Sequence, residues 1–375
     1  MVIPQDLFVL ENKMKVLHIH PSMGSGGIES MITALANEMS KTEEVHVCSI
    51  FKMSEDDFQW RKLSDRVVKC HLGKTATGAS LREIYSIYKY IKKNRFDAVY
   101  LHGFVQYYVL AILLLFRRVK FFYTVHTDAN MENINVWAKR LFGFRKFCFK
   151  HGLIRPITIS EASRKSFCEL YGLRPALIYN GIERYEPQNE IMPIIERYRY
   201  TKRTRVFIHA GRIDEPKNQV VLCDVFDKLV KSGEDVVLLI AGQIQRKDIF
   251  SQIQTYFSDR IVYIGVRGDV CELMAHSDAF CLPSIWEGLP VTLLESLSVG
   301  CIPICAPVGG IVDVVDDGRN GFLSNDSTVA SYYDAIKRYL SLSEEETNAM
   351  KQQCYDSFSN YDISKTASEY LNLVR

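Results

Sequence analysis

This chain has no hydrophobic run long enough to cross a bilayer. Its longest, residues 104–116, includes Gln106 and falls short of the roughly 20 apolar residues a spanning helix needs, so it reads as a buried helix. Residues 1–12 lack the basic-then-apolar layout of a signal peptide, and the first 13 residues read as a loose leader. The ten cysteines contain no Cys-x-x-Cys pair, and several sit in apolar strand-like runs. Reduced core thiols in a cytoplasmic protein follow. No Asp-x-Asp cluster follows an apolar strand, so no metal is implied, and Glu55-Asp56-Asp57 reads as a solvated loop.

What is present suits a soluble two-domain protein. There are 375 residues, 47% apolar and 24% charged. The net charge of +2 hides an asymmetry. Residues 1–200 hold 29 Lys+Arg against 20 Asp+Glu, a net +9, and residues 201–375 hold 17 against 24, a net −7. A basic first half suits an anionic partner such as a membrane surface or a lipid diphosphate.

A strand over 14–19, a glycine loop and an apolar-periodic helix over about 29–39 form the opening of a doubly wound α/β domain. A dinucleotide site fails at both checkpoints. Gly24 and Gly26 are spaced correctly but position 29 is Glu, and the next strand, 45–51, ends in Lys52 rather than an acid. Alternation continues with a helix over 81–93, a strand over 98–102, a helix over 104–116 and a strand over 120–125. A strand at 157–160 follows, with Ser160 capping the next helix, then a last strand and turn over 177–183. Residues 184–204 are polar and aperiodic and hold the linker. Beyond it come strands at 205–210, 236–242, 261–265, 279–282 and 302–306, a helix at 219–231 and a helical end over 343–375.

The chemistry concentrates at strand ends. After strand 279–282, Pro283 and Ser284 lead into a loop through Ile285, Trp286 and Glu287. Gly288 permits a tight backbone, Pro290 suits a first helical position, and Gly300 stops the helix. Free amides of Gly288, Leu289, Val291 and Thr292 then make an anion site at a positive helix end. Glu287 and Glu295 beside it are not phosphate ligands but suit sugar hydroxyls; the alternative is a capping loop and one exposed glutamate. Arg212 and Lys217, after a buried strand and Gly211, suit an oligophosphate unless they pair with Asp214 and Glu215. His126 stands just past a strand end, where open α/β sheets bind ligands, as His20 and His102 do more weakly. Residues 137–156 interleave aromatics with Lys139, Arg140, Arg145, Lys146, Lys150 and Arg155 and carry no acid. Such a stretch fits a membrane interface or a solvated helix with inward aromatics; no nucleic-acid motif accompanies it.

Glu287-x7-Glu295, set in Pro-Ser-x-x-Glu-Gly-Leu-Pro-x-x-x-Leu-Glu, resembles the signature of retaining GT-B glycosyltransferases of glycosyltransferase family 4. The resemblance runs from about Lys15 to the C-terminus. It implies two Rossmann-like doubly wound parallel-sheet domains facing across a cleft: residues 1–190 on the acceptor side, a linker at 191–204, and a nucleotide-sugar domain at 205–356. The last helix, about 357–375, is expected to pack back on the first domain. In the family the first glutamate meets the donor sugar and the second the ribose hydroxyls, which places Glu287 and Glu295. Arg212 and Lys217 match the Gly-Arg-x-x-x-x-Lys pattern that binds the donor diphosphate, although most members have glycine where this chain has Asn218. Gly26 and Gly27 of Gly-Gly-x-Glu would face that diphosphate, His126 would touch the sugar, and Val266 and Arg267 would line the nucleobase. Asn180-Gly-Ile-Glu183 resembles the family's Asn-Gly-x-Asp, with Glu for Asp.

The implied activity is hexose transfer from a nucleotide-diphosphate sugar to a glycan or lipid-linked acceptor with retention, in cell-surface polysaccharide or glycolipid synthesis. A UDP-sugar is favoured over GDP-mannose, with no cofactor and no nucleic-acid partner. The protein would be cytoplasmic, with residues 137–156 offering a peripheral contact to the inner face of the plasma membrane. The alternatives are a GT-B sugar-nucleotide epimerase and a non-catalytic nucleotide-sugar-binding protein, against which the intact Arg212, Lys217, Glu287 and Glu295 argue.

Overall fold

The structure is a computed structural model that describes residues 13–24, 26–54, 57–75, 78, 80–131, 136–188 and 192–375. The expected leader, most of which precedes residue 13, and Glu55-Asp56 lie outside the described residues. Among the described residues thirteen strands form two sheets, and every pairing described within them is parallel.

The first sheet comprises β1 (Lys15–His20), β2 (Glu44–Phe51), β3 (Val68–Lys74), β4 (Ala98–His102), β5 (Lys120–Val125), β6 (Arg155–Thr158) and β7 (Ala176–Leu177), in the order β3-β2-β1-β4-β5-β6-β7. Interleaved are α1 (Gly27–Met39), α2 (Phe58–Lys62), α3 (Leu81–Asn94), α4 (Gln106–Val109), α5 (Val136–Lys150) and α6 (Glu161–Tyr171). α7 (Met192–Glu196) follows. The second sheet comprises β8 (Arg205–Ala210), β9 (Val236–Ala241), β10 (Ile261–Gly265), β11 (Ala279–Leu282), β12 (Ile302–Cys305) and β13 (Phe322–Leu323), in the order β10-β9-β8-β11-β12-β13. Its helices are α8 (Gln219–Lys231), α9 (Lys247–Gln254), α10 (Val270–His276), α11 (Val291–Ser298) and α12 (Val329–Leu340), and the chain ends in α13 (Glu344–Phe358) and α14 (Ile363–Asn372).

The local sequence explains most of these elements. β1, β4, β8 and β11 are apolar runs buried on both faces, as parallel strands under helices must be. Ser160 caps α6 through a reciprocal pair with Ser163, and Gly172 closes that helix at φ +68. The edge strand β3 was not expected, because exposed and half-buried positions mix along it and break any apolar run.

The stretch 104–116 is not one helix. It divides into 3-10 turns at Gly103–Val105 and Leu113–Leu115 around the four-residue α4. Its aromatic and β-branched residues favour helix weakly, and a run without a polar face supplies no 3.6-residue period. Pro290 is the N-cap of α11, with extended ψ, rather than its first helical residue.

The chain divides into two compact units. One is Met1–Thr124 with His151–Arg155 and Leu371–Arg375; the other is Val125–Lys150 with Pro156–Tyr370. In the second unit the linker is fastened rather than loose. Tyr185 donates to Glu272 (2.9 Å), and Arg199 pairs with Asp278 (2.6 Å).

Candidate active site

Two loops of the second unit meet at the C-terminal ends of β8 and β11, the edge where parallel sheets take ligands. The loop after β8 carries Arg212 and then a 3-10 turn, Glu215–Lys217, capped by Asp214. The loop after β11 carries Ser284 and Glu287. Lys217 Nζ pairs with Glu287 Oε1 at 2.5 Å, and Ser284 Oγ donates to the same oxygen at 2.7 Å. Both ion-pair partners are mostly shielded, so the bond is less screened than a surface pair. Lys217 thus reaches the glutamate rather than Asp214 or Glu215; Glu215 lies nearer Arg246, at 3.7 Å. The Arg212 side chain is exposed.

Backbone ties hold the two loops in register. Ile285 N–H donates to Pro216 O (2.8 Å), and Asn218 Nδ2 donates to both Pro283 O and Ser327 O (3.1 Å each). Asn218 has φ +56, in the left-handed region that favours glycine. Asparagine tolerates that region better than other side chains, and its amide adds two cross-links that glycine cannot make.

Deeper down, His209 of β8 is fully buried, and burial lowers its pKa to about 4. Its Nδ1 is 2.9 Å from Cys281 O and its Nε2 3.2 Å from Gln219 Nε2, so the neutral ring donates to the carbonyl and accepts from the amide. Gln219 Nε2 also donates to Arg212 O (2.7 Å), linking β11 to the Arg212 backbone.

Three backbones converge at Gly288. A Cβ there would lie 2.0 Å from His126 O, and one at Gly309, whose φ is +57, would lie 1.9 Å from Glu287 O. Gly310 N–H donates to Gly288 O (2.6 Å), and Asn180 Nδ2 donates to Leu289 O (3.1 Å). His126, buried at the end of β5, therefore stands beside this loop. α11 begins with no side-chain cap on its first amides, leaving a positive helix end beside Glu287. Glu295 is half-buried on α11. Val266 is exposed after the left-handed Gly265, and Arg267 forks onto Asp269 (2.8 and 2.5 Å).

Gly26 and Gly27 belong to the other unit. Gly26 caps α1, and the Glu29 carboxylate fills the space a Cβ at position 26 would take. Residues 137–156 split their roles. Phe142 and Phe149 pack on Tyr171, Phe144 and Phe147 are exposed, and Arg145 is only 1% exposed and donates to the Tyr171 hydroxyl. Arg145 is thus a core residue and not part of a basic surface.

Residues 193–356 match the family model of glycosyl transferases group 1, and residues 25–184 that of Glycosyltransferase Family 4. The chain belongs to the group 1 glycosyltransferases. The UDP-Gal:alpha-D-GlcNAc-diphosphoundecaprenol alpha-1,3-galactosyltransferase of Escherichia coli is 25% identical over 307 residues, 78% of this chain and 79% of that protein. A glycogen synthase of Pseudomonas syringae pv. tomato is 28% identical over 155 residues, 40% of this chain but only 32% of that protein. Anabaena HepE, solved in complex with UDP and glucose, is similar in structure with a TM-score of 0.79 at 17% identity, covering 96% of this chain and 99% of that one. That likeness establishes the GT-B fold expected from the sequence.

Ser284, His209 and Gln219 did not stand out in the sequence as parts of this candidate site. His209 left one signal, a polar residue inside an otherwise apolar buried strand.

Proposed function

We propose that this glycosyltransferase moves a hexose from a nucleotide-diphosphate sugar, UDP-hexose before GDP-mannose, to a glycan or lipid-linked acceptor with retention at the anomeric carbon. The observation that carries the reading is the Lys217–Glu287 pair beside the uncapped end of α11. A lysine held at a helix end by a carboxylate is poised to exchange that partner for a diphosphate. The E. coli relative, whose name specifies UDP-Gal and a diphosphoundecaprenol-linked acceptor, supports the donor and acceptor classes.

In this mechanism Lys217, Arg212 and the α11 amides neutralise the leaving diphosphate, each preorganised contact contributing about 3 kcal/mol of transition-state stabilisation. Glu287, released from Lys217, orients sugar hydroxyls together with His126. Glu295 holds the ribose, and Val266 and Arg267 flank the base. The departing phosphate oxygen takes the acceptor proton, a front-face route that needs no carboxylate nucleophile. Cations and a helix end take the role a metal would have, so the reaction is metal-independent.

Nucleoside-diphosphate release from a donor panel, with and without lipid-linked acceptors, tests the reading, and the anomeric coupling constant of the product tests retention. Acceptor-dependent release from a UDP-hexose with an α-linked product is expected. Epimerised donor without transfer rejects the transferase, and a β-linked product from an α-donor rejects retention.

A further inference from the structure

The first unit carries a surface that the transfer chemistry does not use. After α4 the chain turns through Leu113–Leu115, leaving Leu114 70% and Leu115 65% exposed. Arg117 and Arg118 follow, both exposed, and no acidic residue occurs between Asp97 and Asp128. A groove of about 610 Å³ lies here, lined by Leu114, Phe116, Arg117, Arg118, Lys120 and Arg155 among others. The surface continues onto α3. Phe116 packs against Tyr88 (5.6 Å between ring centroids), Tyr88 against Tyr85 (6.4 Å), and Lys92 Nζ sits 5.4 Å from the Tyr88 ring. Leu81 and Tyr85, one turn apart on that helix, are 83% and 64% exposed. Residues 81–120 hold eight Lys+Arg and two Asp+Glu, and one of the acids, Glu83, is buried against Lys74 (3.0 Å).

Large apolar side chains left in water beside unopposed cations mark an interaction surface. A nucleic acid would engage the cations and stack on the tyrosines but would leave Leu114 and Leu115 wet. A bilayer covers all three classes at once: leucines at the acyl boundary, tyrosines at headgroup depth, arginines on lipid phosphates. We propose that this surface docks the protein on an anionic phospholipid bilayer, with Leu114 and Leu115 inserting and Arg117 and Arg118 engaging headgroup phosphates. Lys120 opens β5, so residues 114–120, where docking is proposed, lie at the N-terminal edge of that strand, while Leu81 and Tyr85 open α3, the crossover from β3 to β4, and extend the surface toward the other edge. β1 and β4 end at the opposite edge, in His20 and His102, where open α/β sheets bind ligands. Residues 114–120 are therefore a tether and not a substrate subsite, and of residues 137–156 only the end, Gly152, Leu153 and Arg155, lines the groove, while Arg145 is buried. It does not depend on the transferase reading.

Flotation of the full chain with phosphatidylcholine vesicles, and with the same vesicles containing phosphatidylglycerol, tests it without any turnover. Binding is expected on the anionic vesicles alone and weakens as salt rises. Arg117→Glu/Arg118→Glu and, separately, Leu114→Ser/Leu115→Ser should each lower the bound fraction at least about tenfold, with thermal unfolding and UDP binding unchanged. No binding by wild type, or equal binding to neutral vesicles, overturns the proposal. Loss in the arginine variant with wild-type binding in the leucine variant also overturns it, and points to an electrostatic site for free phosphate or nucleic acid.

Discussion

β1 and β8 are both six-residue buried parallel strands near the middle of a sheet, each followed by a loop and a 13-residue helix. The loop after β1 offers glycine and no Lys or Arg from His20 through Ser40, whereas the loop after β8 offers Arg212 and Lys217. One fold opening thus carries a carboxylate and no cation in the first unit and a cation pair in the second. The same contrast holds for glycine. Gly26 makes room for the flexible end of a glutamate side chain, while Gly288 and Gly309 make room for backbone carbonyls. The close contacts in the second unit are between main chains, which cannot yield, whereas the one at Gly26 is with a movable side chain.

The largest effect that would break this contrast is kinetic. Lys217→Ala and Arg212→Ala should each lower kcat/KM about a hundredfold with little change in Tm, through lost diphosphate stabilisation. Near-normal turnover in either variant removes that residue from the mechanism. The glycines sharpen the contrast next. Gly288→Ala forces a Cβ to within 2.0 Å of His126 O and should cost about 2–3 kcal/mol in urea unfolding. Gly26→Ala displaces only the Glu29 carboxylate and should cost less than about 1 kcal/mol. Equal costs would erase the distinction.

Acid should weaken both units alike. Burial pushes His209 down to about 4 and His18 down to about 3. Both folded values lie below the ordinary imidazole value of about 6.5, so the unfolded chain takes up protons first. The stability held by the neutral rings is complete above that value. It is lost as pH falls toward 4 at His209 and 3 at His18, of order 2 kcal/mol for each at pH 5. Urea midpoints at pH 7 and pH 5 should show the loss, and His209→Gln should shallow it; a flat profile contradicts the assignment. The smallest effect concerns Asn218. Asn218→Ala loses two hydrogen bonds and strains φ +56, for about 2 kcal/mol, whereas Asn218→Gly loses the bonds alone, for about 1 kcal/mol. If the two variants unfold together, the left-handed backbone is not what selects the residue.

These positions also show what the sequence could express. That Arg212, Lys217 and Glu287 stand on the loops after β8 and β11 was legible because each follows an apolar run that ends at Gly or Pro. The strands β8 to β12 were legible from apolar runs that stop at Gly, Pro or a charged residue. The break in 104–116 was not, because an all-apolar run has no polar face from which to read a period. Arg145 was misread as surface, since nothing local reveals that the Tyr171 hydroxyl, 26 residues on, receives its guanidinium. The tie from His209 through Gln219 to Arg212 also escaped, because its partners meet only through strand pairing and loop closure.

Calorimetric titration of UDP into wild type, Lys217→Ala and Glu287→Gln tests the central claim most directly, that Lys217 exchanges its carboxylate partner for the donor diphosphate. The account predicts binding by wild type, at least about tenfold weaker binding by Lys217→Ala, and equal or tighter binding by Glu287→Gln, in which the lysine no longer has a charged competitor. Unchanged affinity in Lys217→Ala, or UDP binding abolished by Glu287→Gln, would contradict it.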